Sequence, residues 1–264
     1  MQLHAAGRMR RPLAAGAAPP DPMPCYVINL AREHERWLQM RERCERVGVA
    51  ATRFEATAGD SPAAAELGGG YDRALNAAQF HRPLTAGEIG CYLSHRRVWR
   101  ALLASRARSC VVLEDDMELA DDFAALLGQL AALEGDWDMI KLIGRARENP
   151  RSRRRLGAGE RELVGYRRVP SFTGAYAISR AGAEKLLRRR TFGRPIDVDL
   201  RHWWEADLRI LGVLPYPARF GAASRFSSTQ PCGRERAPRS RLRKLGLQWR
   251  YSWRNWIEGR RARA

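Results

Sequence analysis

The segment VVLEDDMELADDF, residues 111–123, opens with three apolar residues and then sets three carboxylates in a row, Glu114, Asp115 and Asp116. The 264-residue chain carries a formal charge of +18, so acid concentrated at one point needs a reason. A short β-branched run bounded by polar residues reads as a buried strand. In open α/β sheets, ligands sit at the carboxyl ends of the strands. A strand running into EDD therefore offers oxygen ligands at that edge. Such ligands suit a hard divalent cation that also binds substrate phosphates. The bland alternative is a solvated turn in which Asp121 and Asp122 cap the next helix.

Working outward, strands and helices alternate. CYVINL (25–30) reads as a buried first strand after a Pro-rich leader. Trp37, Met40, Cys44 and Val47 then recur on one helical stripe, with Gly48 as a stop. ATRFEAT (51–57) is a second strand candidate. Thr85 and Glu88 have the spacing of a capping box, followed by a helix to about Ser105. The acidic strand is followed by the helical ADDFAALLGQLAAL, its first-turn aspartates suited to the helix dipole. WDMIKLI and TGAYAIS read as strands and RAGAEKLLRRR as a helix. PIDVDLRHWWEADLRI begins extended and becomes helical, and GVLPYPARF is a last strand or edge segment. Residues 144–168 hold nine arginines and several glycines and read as a mobile loop. The pattern predicts an α/β fold with a mostly parallel central sheet.

Hydrophobic content of 45% fits a globular domain. No run approaches the ~18 apolar residues of a membrane span. Residues 1–23 read as a disordered leader, because their apolar stretch is too short and too broken for a signal peptide. Five scattered cysteines show neither CxxC nor zinc spacing, which points to reduced thiols in a cytosol-facing protein. Residues 233–264 carry ten arginines and one lysine against two glutamates, half of the whole excess charge. The domain is thus expected over 24–232, with a basic amphipathic tail over 233–264. In that tail Leu242, Leu245, Trp249, Trp253 and Trp256 share a helical stripe. That stripe, flanked by arginine, predicts a helix lying on an anionic membrane surface.

No GxGxxG and no Walker lysine pattern occurs, so neither a dinucleotide fingerprint nor a P-loop is supported. Basic charge with interleaved aromatics leaves a nucleic-acid-binding module open. The charge is concentrated outside the expected domain, however, and no known nucleic-acid-binding signature is present. A metal-dependent nucleotidyltransferase would share the acidic strand end.

YVINLAREHERW, LTAGEIGCYLSHRRVW, VVLEDD, FTGAYAISRAGAEKLL and PIDVDL occur in this order. Together they resemble glycosyltransferase family 25, of the lipooligosaccharide galactosyltransferase type, over roughly residues 24–220. GEIGCYLSH and the acidic strand end are the most specific pieces. The resemblance implies a GT-A-like nucleotide-sugar-binding fold, a UDP-sugar donor, often with Mn²⁺, and an inverting transfer. It also implies a saccharide or glycolipid acceptor of the lipopolysaccharide type and a cytoplasmic place at the inner membrane face. Asp116 is then the expected cation ligand. Glu114 or Asp115 would accept hydrogen bonds from the ribose or from a metal-bound water. Asn29, Leu30, Arg32, Arg36, Ser94 and His95 fall at donor-binding positions. Asp197 of PIDVDL is expected to be the general base or an acceptor-positioning carboxylate, with Glu88 as the competing base and Asp199 as a helix cap. Of Trp203 and Trp204, one is expected to stack on a sugar and the other to join the core.

Overall fold

Residues 110–113 of the acidic strand alternate between two hydrophobic cores, because successive side chains of a strand point to opposite faces. Val111 and Leu113 pack into one core with Val27, Met40, Cys44 and Leu126. Cys110 and Val112 pack into the other with Ile28, Trp99, Tyr176 and Ile178. A strand buried on both faces, with helices on each side, makes a layered α/β domain. The computed structural model describes residues 23–59, 70–133, 136–145, 147–157, 159–221 and 241–261. The expected leader lies outside them except for Met23, which is buried in the first core.

In chain order the elements are β1 (Cys25–Asn29), α1 (His34–Arg46), β2 (Ala51–Glu55), α2 (Arg73–Gln79), α3 (Ala86–Ala104), β3 (Ser109–Glu114), β4 (Met117–Leu119), α4 (Phe123–Ala131) and β5 (Met139–Lys141). There follow β6 (Pro150–Arg155), β7 (Glu162–Tyr166), β8 (Ala175–Ser179), α5 (Arg180–Arg188), α6 (Ile196–Asp199), a 3-10 turn (Trp203–Glu205), β9 (Ile210–Leu214), β10 (Ala218–Phe220) and α7 (Arg241–Arg261). Eight strands form one sheet in the order β2-β1-β3-β8-β5-β9-β7-β6, and β10 pairs with β4 in a small second sheet. Pairing is parallel at β1–β2, β1–β3 and β5–β9. It is antiparallel where β8 inserts between β3 and β5, and in the β9-β7-β6 edge. The α/β class and the GT-A-like layout are as expected, with the parallel half of a mixed sheet carrying the acidic strand.

Three expectations are corrected. Residues 144–168 are not simply a loop, because β6 and β7 form an antiparallel hairpin on the sheet edge. Leu163 and Val164 of β7 are buried and Arg153–Arg155 of β6 are exposed, so an arginine-rich edge strand hid the buried strand beside it. Asp122 stands at the N-cap of α4 without a side-chain cap bond, and its carboxylate accepts from Arg161 Nε at 2.6 Å instead. PIDVDLRHWWEADLRI holds only the short α6 and a 3-10 turn before β9 begins. The helix of the tail, α7, is present as expected, and no described helix is long and apolar enough to cross a membrane.

Candidate active site

The acidic strand end is placed by its neighbours. β1 runs parallel to β3 with Ile28 opposite Glu114, so Asn29 lies beside the EDD turn. β8 runs the other way, which brings Thr173 and Gly174, just before it, to the same edge. The Glu114 N–H donates to the Gly174 carbonyl at 2.8 Å, and the Thr173 hydroxyl donates to Glu114 Oε1 at 3.1 Å. α3 crosses above. Its residues Glu88, Cys91 and His95 lie at i, i+3 and i+7, one helical face.

The local sequence explains how α3 comes so close. Thr85 and Glu88 close the capping box as expected. A Cβ on Gly90 would meet the Thr57 carbonyl oxygen at 2.4 Å, so only glycine lets the chain after β2 pass. Ser94 Oγ accepts from the Thr57 N–H at 2.8 Å and donates to the Gly90 carbonyl at 2.7 Å. Tyr92 donates to Asp199 at 2.6 Å. GEIGCYLSH is thus a docking motif on one helical face and a site motif on another.

Among the three carboxylates the environments differ. Asp115 accepts from Asn29 Nδ2 at 2.6 Å and from Arg36, while Arg53 NH2 donates to Asn29 Oδ1 at 2.6 Å. Asn29, Arg36 and Asp115 therefore hold one another. Burial raises the Asp115 pKa, and Arg36 and Asn29 oppose the rise. Burial also pushes Glu114 up, but His95 and the Thr173 hydroxyl outweigh it and leave the carboxyl below its usual value. Asp116 has the least support. It is 5% exposed, its Oδ1 has no hydrogen-bond partner among the described residues, and Arg36 approaches Oδ2 only to 3.8 Å. Burial, then the charge of Glu114, push its pKa up to about 7.

His95 is fully buried. Its Nδ1 meets the Tyr176 hydroxyl at 2.8 Å, and that hydroxyl accepts from Trp99 Nε1–H at 2.9 Å. His95 Nε2 lies 3.6 Å from Glu114 Oε1, beyond hydrogen-bonding reach, and has no other partner. Ligand atoms of Cys91, His95 and Glu114 all lie within 4.8 Å of one another. The unpartnered His95 Nε2 beside the Glu114 carboxylate fits a divalent cation of the Mn²⁺ class, whereas the expected ligand Asp116, its Oδ1 also buried without a partner among the described residues, is not part of that cluster. Burial raises the Cys91 thiol pKa well above its usual value, and an ion of the Mn²⁺ class prefers the oxygen and nitrogen donors to sulfur.

Asp197 sits in the first turn of α6. Burial raises its pKa to about 6; the Val198 N–H and Lys141 oppose this, and Glu88 and Glu114 add to it. Glu88 is fully engaged, with Arg82 NH1 and NH2 at 2.7 and 2.6 Å on its two oxygens and the Thr85 N–H at 2.9 Å. Asp199 is no helix cap. It is a buried hub for Tyr92, Arg189 and Arg194.

The remaining expected residues divide. Ser94 is corrected: its buried hydroxyl is spent on the chain after β2, so it does not face the site. Arg32 is exposed and pairs with Glu33 at 3.7 Å. Leu30 contributes its carbonyl to the Glu33 N–H at 2.9 Å. Trp203 packs against the second core, whereas Trp204 lines a surface cleft.

Sequence reasoning missed Lys141. It is fully buried at the end of β5, donates to the Phe172 carbonyl, and is coupled to Asp197 and Glu114. Burial lowers its pKa to about 8. Its signal was in MIKLI, a lysine inside an apolar strand of a chain with only three lysines.

These features of an acidic strand end, a buried histidine and a carboxylate from PIDVDL coincide with a match to the family model for glycosyltransferase family 25 (LPS biosynthesis protein) over residues 23–200. The chain belongs to glycosyltransferase family 25. Family relatives include a "Glycosyltransferase 25 family member" of Anopheles gambiae, 32% identical over 184 residues, 66% of this chain and 30% of the relative. The human procollagen galactosyltransferase 2 is 29% identical over 186 residues, 66% of this chain and 29% of that protein. The human "Inactive glycosyltransferase 25 family member 3" is 31% identical over 213 residues, 72% of this chain and 35% of that one. The chain thus spans between 29% and 35% of the length of these family 25 relatives. Active and inactive members both resemble it, so the site chemistry decides its activity.

Proposed function

We propose that the protein is an inverting hexosyltransferase that moves galactose from UDP-galactose to a saccharide of the lipopolysaccharide or lipooligosaccharide type. The observation that carries this reading is the grouping of Cys91, His95 and Glu114 at the carboxyl edge of the sheet, with Asp116 and Asp197 near enough to act electrostatically on the Cys91 thiol. Asp116, with Glu114 and His95, would hold the divalent cation, expected to be Mn²⁺. When bound, that ion supplies charge to stabilise the leaving diphosphate. The Asn29–Asp115–Arg36 cluster makes the adjacent wall rigid, a place for the nucleoside, with Leu30 and Arg32 at its rim.

Asp197 is favoured over Glu88 as general base. Glu88 has both oxygens committed to Arg82 and the helix cap. A base works best with a pKa near the working pH, and Asp197 has been moved toward it. Asp197 would take the acceptor hydroxyl proton, and the oxygen would attack the anomeric carbon opposite the leaving UDP.

The tail supports a peripheral place on the inner face of the cytoplasmic membrane. Trp249, Trp253 and Trp256 are more than half exposed and stack on one another at 5.6–6.0 Å, with Leu242 and Leu245 on the same face. Aromatic residues of this kind sit at the acyl boundary, and arginine beside them favours anionic lipid.

The test is calorimetric titration with UDP, GDP and CMP, with Mn²⁺ or with chelator, alongside transfer assays from UDP-galactose. UDP should bind best and lose affinity in chelator. Preference for CMP, or indifference to the metal, would overturn the proposal.

A further inference from the structure

A second cleft, with a cavity volume of about 1090 Å³, lies between α7 and the domain. Nine arginines and lysines line it against two glutamates, Glu148 and Glu205. Glu205 is already paired with Arg194 at 2.7 Å, and Glu148 accepts from the Arg145 N–H at 2.9 Å. Positive charge is thus left largely uncompensated, on Arg145, Arg147, Arg167, Arg168, Arg201 and Arg250. Bringing like charges together is costly unless an anion is to be met there.

The guanidinium groups are also arranged. Tyr251 of α7, 7% exposed, is covered by Arg201 at 4.4 Å and by Arg168 at 5.0 Å from its ring centroid. Arg168 NH2 donates to Ser252 Oγ at 2.6 Å. Cation–π contact and hydrogen bonding fix these planar forks, which reduces the ordering cost of gripping a phosphate. Trp204, beside them, offers a flat face of the kind that packs on sugar rings, 5.6 Å from Tyr251.

The cleft adjoins the active site through one element. Its wall includes Val198, the residue after Asp197, but neither Glu114 nor Asp116. α6 is thus the element that links the cleft to Asp197. Resting on the transferase reading above, we infer that this cleft binds an acceptor bearing phosphate: a phosphorylated saccharide whose anion is held by Arg168 and Arg201 while its hydroxyl reaches Asp197. The hairpin of β6 and β7 supplies the segment from which Arg167 and Arg168 emerge, which gives the arginine-rich stretch a role. α7 closes the cleft on one side and turns its tryptophans outward on another, so a membrane-borne phosphosaccharide would meet both at once.

The experiment uses the full chain and glucose 1,6-bisphosphate as probe, with glucose, inorganic phosphate, phosphatidylglycerol vesicles and a uridine decanucleotide as comparison arms. Calorimetry should show the bisphosphate binding at least tenfold tighter than inorganic phosphate, with no heat from glucose, and weakening as salt rises. Arg168→Gln with Arg201→Gln should weaken it at least tenfold. Because Arg168 and Arg201 also hold α7, the variant's circular dichroism melt is recorded. Arg145→Gln with Arg147→Gln is the second variant, and it should also weaken binding. Bisphosphate affinity unchanged in both variants, or no better than that of inorganic phosphate, would overturn the inference. So would tighter binding of the decanucleotide, or of the vesicles with the bisphosphate failing to compete. If UDP binds with Mn²⁺ and the bisphosphate does not bind, only this inference falls. If the bisphosphate binds and UDP does not, the transferase reading falls instead.

Discussion

Asp116→Asn should make the protein more stable at pH 8 while abolishing sugar transfer. The perturbation keeps volume and removes one charge from a site where Oδ1 has no partner. The folded-state pKa is raised from 3.8 to about 7. Between those values the folded protein holds a proton that the unfolded chain has lost, so stability falls as pH rises through the window. At about 1.4 kcal/mol per unit, three units cost about 4 kcal/mol once Asp116 is ionised. A buried amide without partners costs roughly 1–3 kcal/mol. The variant should therefore gain about 2 kcal/mol at pH 8, or roughly 4–8 °C in Tm for a domain of this size. As pH falls toward 3 both states of the wild type become protonated, the penalty disappears, and the variant should lose about 1–3 kcal/mol through its unpartnered amide. Thermal melts by circular dichroism at pH 4, 6 and 8 measure this in chelator. Mn²⁺ should then raise the wild-type Tm and leave the variant unmoved. An equal gain at pH 4 and pH 8, or a loss at pH 8, would refute the reasoning that burial and Glu114 strain Asp116. Full transfer activity would remove Asp116 from the metal site.

Asp197→Asn should lower turnover about 10²–10⁴-fold and leave UDP affinity near wild type, because a base acts on the acceptor proton. In the wild type the rate should fall tenfold per unit below pH 6, where Asp197 takes up its proton; steady-state profiles lacking an acid limb there would point to another base. Gly90→Ala should cost about 1–3 kcal/mol, since the new methyl meets backbone of residues 57 and 59 and not a movable side chain; a denaturant midpoint equal to wild type would show that the chain after β2 can give way. Replacing Trp249, Trp253 and Trp256 with serine should release the protein from anionic liposomes without unfolding it, because those rings are exposed. Unchanged sedimentation would exclude the stripe as the anchor. This variant is a cleaner test than deleting the tail, which would uncover Trp204 and His202 where Tyr251 packs.

Much of the layout was legible because its causes are local. Short apolar runs placed β1 and β3, a three-residue spacing announced the cap at Thr85 and Glu88, and the run EDD marked the sheet edge. The position of PIDVDL behind FTGAYAIS was readable as order, though not as distance.

What only the tertiary structure decided was which polar groups are spent and which are left over. Ser94, Glu88, Asp115 and Asp199 look as chemically able as Asp116 and Asp197 in one dimension. Partners brought in from elsewhere in the fold satisfy Ser94 (Thr57), Asp115 (Asn29 with Arg36) and Asp199 (Tyr92, beside the nearby Arg189 and Arg194), while Glu88 is taken by Arg82, six residues away in the chain. Lys141 acquires its lowered pKa only when β5 is buried beside β8. The arginine-rich stretch likewise gained a fold through pairing of β7 with β9, a contact between segments some fifty residues apart. A sequence specifies charge and periodicity directly, since both are properties of residues and their spacing. Desolvation and hydrogen-bond satisfaction depend on what packs against each group, and that is determined only when the chain closes on itself.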